Sequence, residues 1–162
     1  MKSWIWSIMG VVTLCGLCLH TSSALAQAPL PASQLNVTVA FGGGLNVSGE
    51  DNEVIIPKTV RVKEGGVVHF MVSGFHQIAV YRRGTTTGDI TDPGPSSSFI
   101  DDEDGRIYIG PSPIPPTPAD NFSHDRNRVE SVSFARPGRY LVICNVRDHF
   151  LEGMHAIVRV LP

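Results

Sequence analysis

From residue 35 onward, apolar and polar positions alternate with a period of two over much of the chain. The clearest runs are Leu35 to Phe41 (LNVTVAF) and Thr59 to Lys63 (TVRVK), the latter with Val60 and Val62 on one face. Val67 to Val72 and Gln77 to Tyr81 read as further strands, as do Val129 to Phe134, Tyr140 to Cys144 and His155 to Leu161. This alternation is the signature of half-buried β-strands. Gly65-Gly66 and Pro137-Gly138 read as turns between strands. No stretch of ten or more residues carries an apolar stripe at helical spacing. Short strands at this spacing predict an all-β fold, a sandwich or barrel, over residues 35–162.

Residues 84–128 break the pattern. This stretch holds 7 of the 12 prolines and 8 acidic against 3 basic side chains, a net charge of −5. It reads as a long Pro/Asp-rich loop, and a structureless connection of this length, uncommon inside compact domains, is usually functional or partly disordered. Asp101-Asp-Glu-Asp104 lacks the spacing of a calcium loop and reads as solvated acidic surface. Phe99, Ile107, Tyr108 and Ile109 are the residues available to pin the loop to the sandwich.

The N-terminus differs in kind. Lys2 precedes an apolar run from Trp4 to Leu19, a few polar residues and Ala24-Leu-Ala26. A positive start, a short apolar stretch and an A-x-A end predict a secretory signal over residues 1–26. The apolar run falls short of the roughly 20 residues that span a bilayer, so the mature form is expected not to be membrane-embedded. Residues 27–34 read as a disordered lead-in. Cleavage after Ala26 leaves 12 basic and 15 acidic side chains, a net charge of −3, and one cysteine, Cys144. With the −5 concentrated in 84–128, the rest of the mature chain carries +2. The net negative charge argues against nucleic acid as the main partner, since phosphate binding needs a basic surface. A lone thiol in a secreted protein is inert, intermolecular or bound to something.

Cys144, His149 and Met154 stand at C-x4-H-x4-M spacing between two predicted strands, and His76 ends another strand far upstream. A thiolate, two imidazoles and a weak thioether form the donor set of a blue-copper electron-transfer site. Each residue also has a plainer reading. Cys144 alone serves as a buried apolar thiol, His76 as a strand-end histidine, and Met154 as core filler. Together, with a single mature thiol, they form a candidate copper site, which the family pattern below favours over the plainer readings. His69, His124 and His155 read as structural or surface residues; His155 follows Met154 and by alternation points away from it.

Two blocks carry a family resemblance: Ile56-Pro-Lys-Thr-Val-Arg-Val-Lys-Glu-Gly-Gly-Val-Val-His-Phe70 leading to His76, and Phe134-Ala-Arg-Pro-Gly-Arg-Tyr140 leading through Cys144 and His149 to Gly153-Met154. The chain resembles the cupredoxins over most of 53–81 and 129–161, and its ligand-loop spacing is similar to that of rusticyanin and, in the first gap, azurin. His155, where many relatives carry Gly, the absence of an Asn shortly before His76, and the 84–128 segment, an insertion loop relative to the smallest members, are departures. The resemblance implies a Greek-key β-sandwich with a type 1 copper held by His76, Cys144 and His149 in the equatorial plane and Met154 on the axis. It also implies a surface-reaching His149, an apolar docking patch at Phe150 and Leu151, and backbone donors to the Cys144 sulfur from Gln77 and Asn145.

The expected function is therefore a one-electron carrier, periplasmic and monomeric. Its partners would be redox proteins such as a c-type cytochrome, a reductase or an oxidase, with the acidic stretch steering a basic one. The alternative is a periplasmic copper carrier or storage protein that delivers metal, against which stands a mature chain with only Met71 and Met154. An enzyme is not expected, because multicopper sites place further histidines beside the thiol and Cys144 is flanked by Ile143 and Asn145. Sequons at Asn36, Asn46 and Asn121 fit a eukaryotic secreted protein. Plant secreted relatives rely on a disulfide that one cysteine cannot form, which favours a bacterial periplasm.

Overall fold

The computed structural model describes residues 34–43, 53–113 and 127–162. The predicted signal, the lead-in up to Ser33, residues 114–126 of the acidic stretch with His124, and two of the three sequons lie outside these residues; Gln34, the last residue of the expected lead-in, instead begins a strand. Among the described residues eight strands form: β1 (Gln34–Gly42), β2 (Ile55–Ile56), β3 (Thr59–Ser73), β4 (Ile78–Arg83), β5 (Arg106–Ile109), β6 (Arg128–Phe134), β7 (Gly138–Cys144) and β8 (His155–Leu161). One short helix, α1 (Arg147–Leu151), interrupts the path between β7 and β8.

The strand order runs β2-β1-β3-β8-β7-β4-β5, with β6 pairing to β3. Strand β3 belongs to two layers. Its first half, through Lys63, pairs in parallel with β8, and its second half, from Gly66 onward, pairs with β6. From Val67 the same half also lies parallel to β1. The change of partner falls at Gly65-Gly66, which the sequence reading took for a turn. Gly65 adopts φ +75°, open to glycine at little cost, so the strand bends there without ending. At Gly66 there is no room for a side chain: an added Cβ would lie 2.7 Å from the Lys63 carbonyl oxygen and 2.8 Å from that of Leu35. The alternation passes through unbroken, with Val60, Val62, Val68, Phe70 and Val72 all buried. This is how a sandwich turns a corner with one strand.

Between the layers lies the main core. Val39 and Phe41 of β1, Val68 and Phe70 of β3, Val132 and Phe134 of β6, Val80 and Val142 of β4 and β7, and Val158 of β8 all enter it. Phe41 meets Phe70 edge-to-face at 6.1 Å, and Phe134 meets Tyr140 at 5.1 Å. Each such fully buried apolar side chain stabilises the fold by about 1.5–3 kcal/mol. Cys144 and Met154 belong to this core, at its edge where β7 ends and β8 is about to begin.

Residues 84–113 are largely exposed, yet part of the segment packs onto the sandwich and adds a strand to it, which a plain loop would not do. Strands β4 and β7 are apolar on both faces, and Ala79, Tyr81, Leu141 and Ile143 form a second buried cluster with Ile100. Ile90 from the same segment and Phe150 of α1 pack against it. The segment also contributes β5, which pairs antiparallel to β4, and a 3-10 turn at Thr87–Asp89. Continuous apolar runs in β4 and β7 need such a cover. Phe99 pairs with Val146 and Tyr108 packs against the main core, whereas Ile107 and Ile109 face solvent. No helix among the described residues is long and apolar enough to cross a membrane.

Candidate metal centre

Two connections, β3–β4 and β7–β8, meet at one end of the sandwich. His76 lies between β3 and β4, after Gly74 at φ +97°, and is fully buried. Cys144 is the last residue of β7, paired with Ile78 of β4. His149 lies within α1, and Met154 immediately precedes β8. The loop is closed by backbone bonds. The Met154 N–H donates to the His149 carbonyl at 2.9 Å, and the Cys144 N–H donates to the Met154 carbonyl at 2.9 Å. Gly153, at φ +92°, makes the reversal that this closure requires.

The structure brings His76, Cys144 and His149 together. The two Nδ1 atoms are 3.0 Å apart, and each is 3.7 Å from Cys144 Sγ. The point equidistant from these three donors lies about 2.0 Å from each. Metal–imidazole bonds run about 2.0–2.1 Å and metal–thiolate bonds about 2.3 Å, so the triangle has the dimensions of a coordination site. The donor set fits one type 1 copper ion: a thiolate suits Cu(I) and imidazole suits Cu(II). Met154 is fully buried in the same core cluster.

The surroundings hold the donors in place. Burial pushes the Cys144 thiol up to about 12, opposed by the backbone N–H groups of Gln77 and Val146, which bond the sulfur. Ionising this thiol therefore calls for a bound cation. Of the two backbone donors expected at the sulfur, Gln77 is correct and Asn145 is replaced by Val146. The Asn145 N–H instead donates to the Gln77 carbonyl at 2.6 Å. On the far side of His76 stands Gly42, at φ +101°, where an added Cβ would lie 2.7 Å from the ring's Cδ2. The rings of Phe41 and His149 flank His76 at 6.0 and 4.8 Å.

A buried polar network braces the same loops, and the sequence reading missed it. Glu130 is 6% exposed, on the inward face of β6 alongside Val132 and Phe134. Its carboxylate accepts from Arg128 Nε at 2.7 Å and from the Tyr108 hydroxyl at 2.7 Å. Arg128 Nη2 then donates to the His76 carbonyl at 3.0 Å. Burial, and then this bond to Glu130, push the Tyr108 hydroxyl up to about 12. Gln77 Nε2 donates to the Gly110 carbonyl at 2.8 Å, and Asn145 Nδ2 to Gln77 Oε1 at 2.8 Å. The signal was present in the sequence: Glu130 occupies a phase of the alternation reserved for apolar residues, and a buried carboxylate needs partners.

Segment 84–113 grips the ligand loop as well. Arg147, at the start of α1, donates from Nε and Nη2 to the two oxygens of Asp92 at 2.6 and 2.8 Å. The Arg147 N–H reaches the Ser98 carbonyl at 3.0 Å, and the Ile100 N–H reaches that of Asn145 at 2.8 Å. The Arg147 guanidinium, and then the Gly94 N–H, hold the Asp92 carboxyl below its usual range. A carboxyl lowered in the folded state stabilises it above the unfolded value, and that gain disappears as pH falls through the folded value. Asp92→Asn should therefore lower the melting temperature at neutral pH, with the gap from the parent closing in acid. Thermal melts of both proteins across the acidic range check this; a gap independent of pH would contradict it.

Two other histidines stand apart from the centre. His69 Nδ1 lies 2.8 Å from the Ser131 hydroxyl on the outer face of β3 and β6. His155, half-buried, is lowered from its usual range by burial and then by Lys58. Leu151 is 52% exposed, but Phe150 is partly buried against the second cluster and contributes less to an outer patch than expected.

No protein-family model matches the chain, and no curated protein matches its sequence. Among solved structures, the chain is similar to auracyanin from the photosynthetic bacterium Roseiflexus castenholzii. The identity is 20% and the TM-score 0.50, over 81% of this chain and 100% of that one. The fold is that of the cupredoxins. Also similar are pseudoazurin from Methylobacterium extorquens AM1, at 20% identity and TM-score 0.42 over 78% of this chain and 75% of that one, and the copper-containing nitrite reductase of Thermus scotoductus SA-01. The latter match has 18% identity and TM-score 0.42 over 85% of this chain and 25% of that one. In the cupredoxin fold of this chain, both sequence blocks that carried the resemblance end at the cluster of His76, Cys144 and His149.

Proposed function

We propose that the protein is a secreted, periplasmic one-electron carrier. It would hold one type 1 copper through His76 Nδ1, Cys144 Sγ and His149 Nδ1, with Met154 as the weak axial ligand. The observation that carries this reading is the triangle of two imidazole nitrogens and one sulfur, with edges of 3.0, 3.7 and 3.7 Å. When bound, copper supplies a one-electron couple whose two oxidation states share this ligand set. The chain's own residues keep the donors from rearranging. Gly42 and Arg128 fix His76, the backbone of Gln77 and Val146 fixes the thiolate, and α1 fixes His149. A site that moves little between states lets an electron pass quickly. His149 is the least buried of the three donors, and Leu151 lies exposed two residues on, so the partner, another redox protein, would dock there. The leader-like residues 1–26 support export.

The test is kinetic. With copper bound, an electron carrier exchanges electrons rapidly between its own oxidised and reduced forms and yields copper slowly to a chelator. NMR line broadening and chelator competition measure the two rates. Fast metal loss with slow electron exchange would contradict the reading and point to metal delivery. Met154 has its own check. Met154→Leu removes a weak donor, so copper and colour should persist while the reduction potential rises; an unchanged potential would remove Met154 from the axis.

A further inference from the structure

His149 has a neighbour outside the ligand set. Glu53 Oε1 lies 3.5 Å from His149 Nε2, the ring nitrogen turned away from Cys144. Both groups are largely shielded, with side chains 12% exposed for His149 and 29% for Glu53. The backbone accounts for the placement. Glu53 precedes β2, whose Ile55 pairs with Phe41, and the Gly42 N–H donates to the Val54 carbonyl at 2.8 Å. The same stretch that carries Gly42 against the His76 ring therefore carries Glu53 to His149. The two imidazoles also impose a constraint. Nδ1 atoms 3.0 Å apart cannot both carry a proton, and a metal ligand must present a bare nitrogen.

We propose that Glu53 is a positioning residue for the copper centre: its carboxylate takes the Nε2–H of His149, leaves Nδ1 bare toward Cys144, and adds negative charge that favours Cu(II) over Cu(I). The inference rests on the ligand reading above. It follows the general rule that a ligating histidine gives its other N–H to a carboxylate or carbonyl, which sets tautomer and ring orientation. The carboxylate stands one imidazole ring away from the centre, 3.5 Å from Nε2 of a ring whose Nδ1 is 3.7 Å from Cys144 Sγ. A unit charge near the metal in a partly shielded site shifts the relative affinity for the two oxidation states by on the order of tenfold. For a one-electron couple that is about 59 mV.

The experiment uses the full copper-loaded chain and the variants Glu53→Ala and Glu53→Gln. Voltammetry should show the potential rising by the equivalent of about tenfold in Glu53→Ala, and by most of that in Glu53→Gln, which keeps the shape and loses the charge. The visible band should persist in both. A second measurement needs no copper: nitrogen-15 NMR of the metal-free chain in mildly alkaline buffer, where imidazoles are neutral. His149 should be the Nε2–H tautomer in the parent and a mixture in Glu53→Ala. Unchanged potentials in both variants would overturn the proposal. Should the parent show no thiolate-to-copper band, the ligand reading falls by itself, and the tautomer decides on Glu53 alone. Identical tautomers in parent and Glu53→Ala would then overturn its hold on His149.

Discussion

Cys144→Ser is expected to abolish the visible colour of the copper-loaded protein while leaving the fold intact. The colour of a blue copper centre arises from charge transfer between a thiolate and Cu(II), and a serine hydroxyl stays protonated and lacks the soft sulfur that binds Cu(I). Oxygen differs from sulfur by little in volume, and the N–H groups of Gln77 and Val146 that bond Sγ remain to serve a hydroxyl. The fold therefore loses at most about 1–3 kcal/mol, the usual range for one poorly satisfied buried polar group. Absorption, copper stoichiometry and circular dichroism read the three quantities separately. A serine variant that stayed blue with one copper bound would remove Cys144 from the site.

The second large effect lies outside the donor set. Arg128→Met should destabilise the protein by about 3–5 kcal/mol, the range for removing one partner of a buried ion pair. Glu130 is 6% exposed, and without Arg128 its carboxylate keeps only the Tyr108 hydroxyl among the partners named above. The loss should appear in urea denaturation as a lower midpoint with an unchanged slope. It should also loosen His76, whose carbonyl loses the Nη2 donor at 3.0 Å. Arg128→Met/Glu130→Leu removes both charges and should recover most of the stability, since a buried pair replaced by apolar groups is often neutral. A single variant within about 1 kcal/mol of the parent would mean the pair is solvated and the brace weak.

Much of this was legible in the residues. Alternation located β1, β3, β6 and β8, because one face of each is buried and period two leaves a plain trace, while β4 and β7 showed as continuous apolar runs. That Cys144 and His149 would meet was legible because a thiol five residues before a histidine and ten before a methionine is an uncommon combination, and the structure adds His76 to the two. What escaped was of two physical kinds. Gly65-Gly66 looked like a turn because local composition cannot tell a chain reversal from a strand changing partners; only the in-phase continuation from Val62 to Val68 separates them. Residues 84–113 looked like loop because their anchors are scattered. Phe99 and Tyr108 stood out as apolar anchors, but Ile90, Asp92 and Ile100 follow no period, and each is explained only by what it meets in space. Asp92 shows how an acidic segment misleads: its charge faces Arg147 and holds the ligand loop.

Glu53 belongs to the second kind. Nothing before β2 marks it in the sequence, and its relation to His149 exists only once β1 and β2 have paired. The acidic character of the chain thus resolves into particular jobs. Asp92 steadies α1, Glu130 steadies Arg128 against His76, and Glu53 meets the outer edge of His149.

The central claim is that His76, Cys144 and His149 hold one copper in a trigonal thiolate site. An optical and electron paramagnetic resonance spectrum of the chain loaded with one equivalent of Cu(II) tests it most directly. The account predicts an intense visible charge-transfer band together with a compressed copper hyperfine splitting, both signs of a covalent copper–thiolate bond. A pale solution with the wide splitting of a square-planar nitrogen and oxygen site would contradict it.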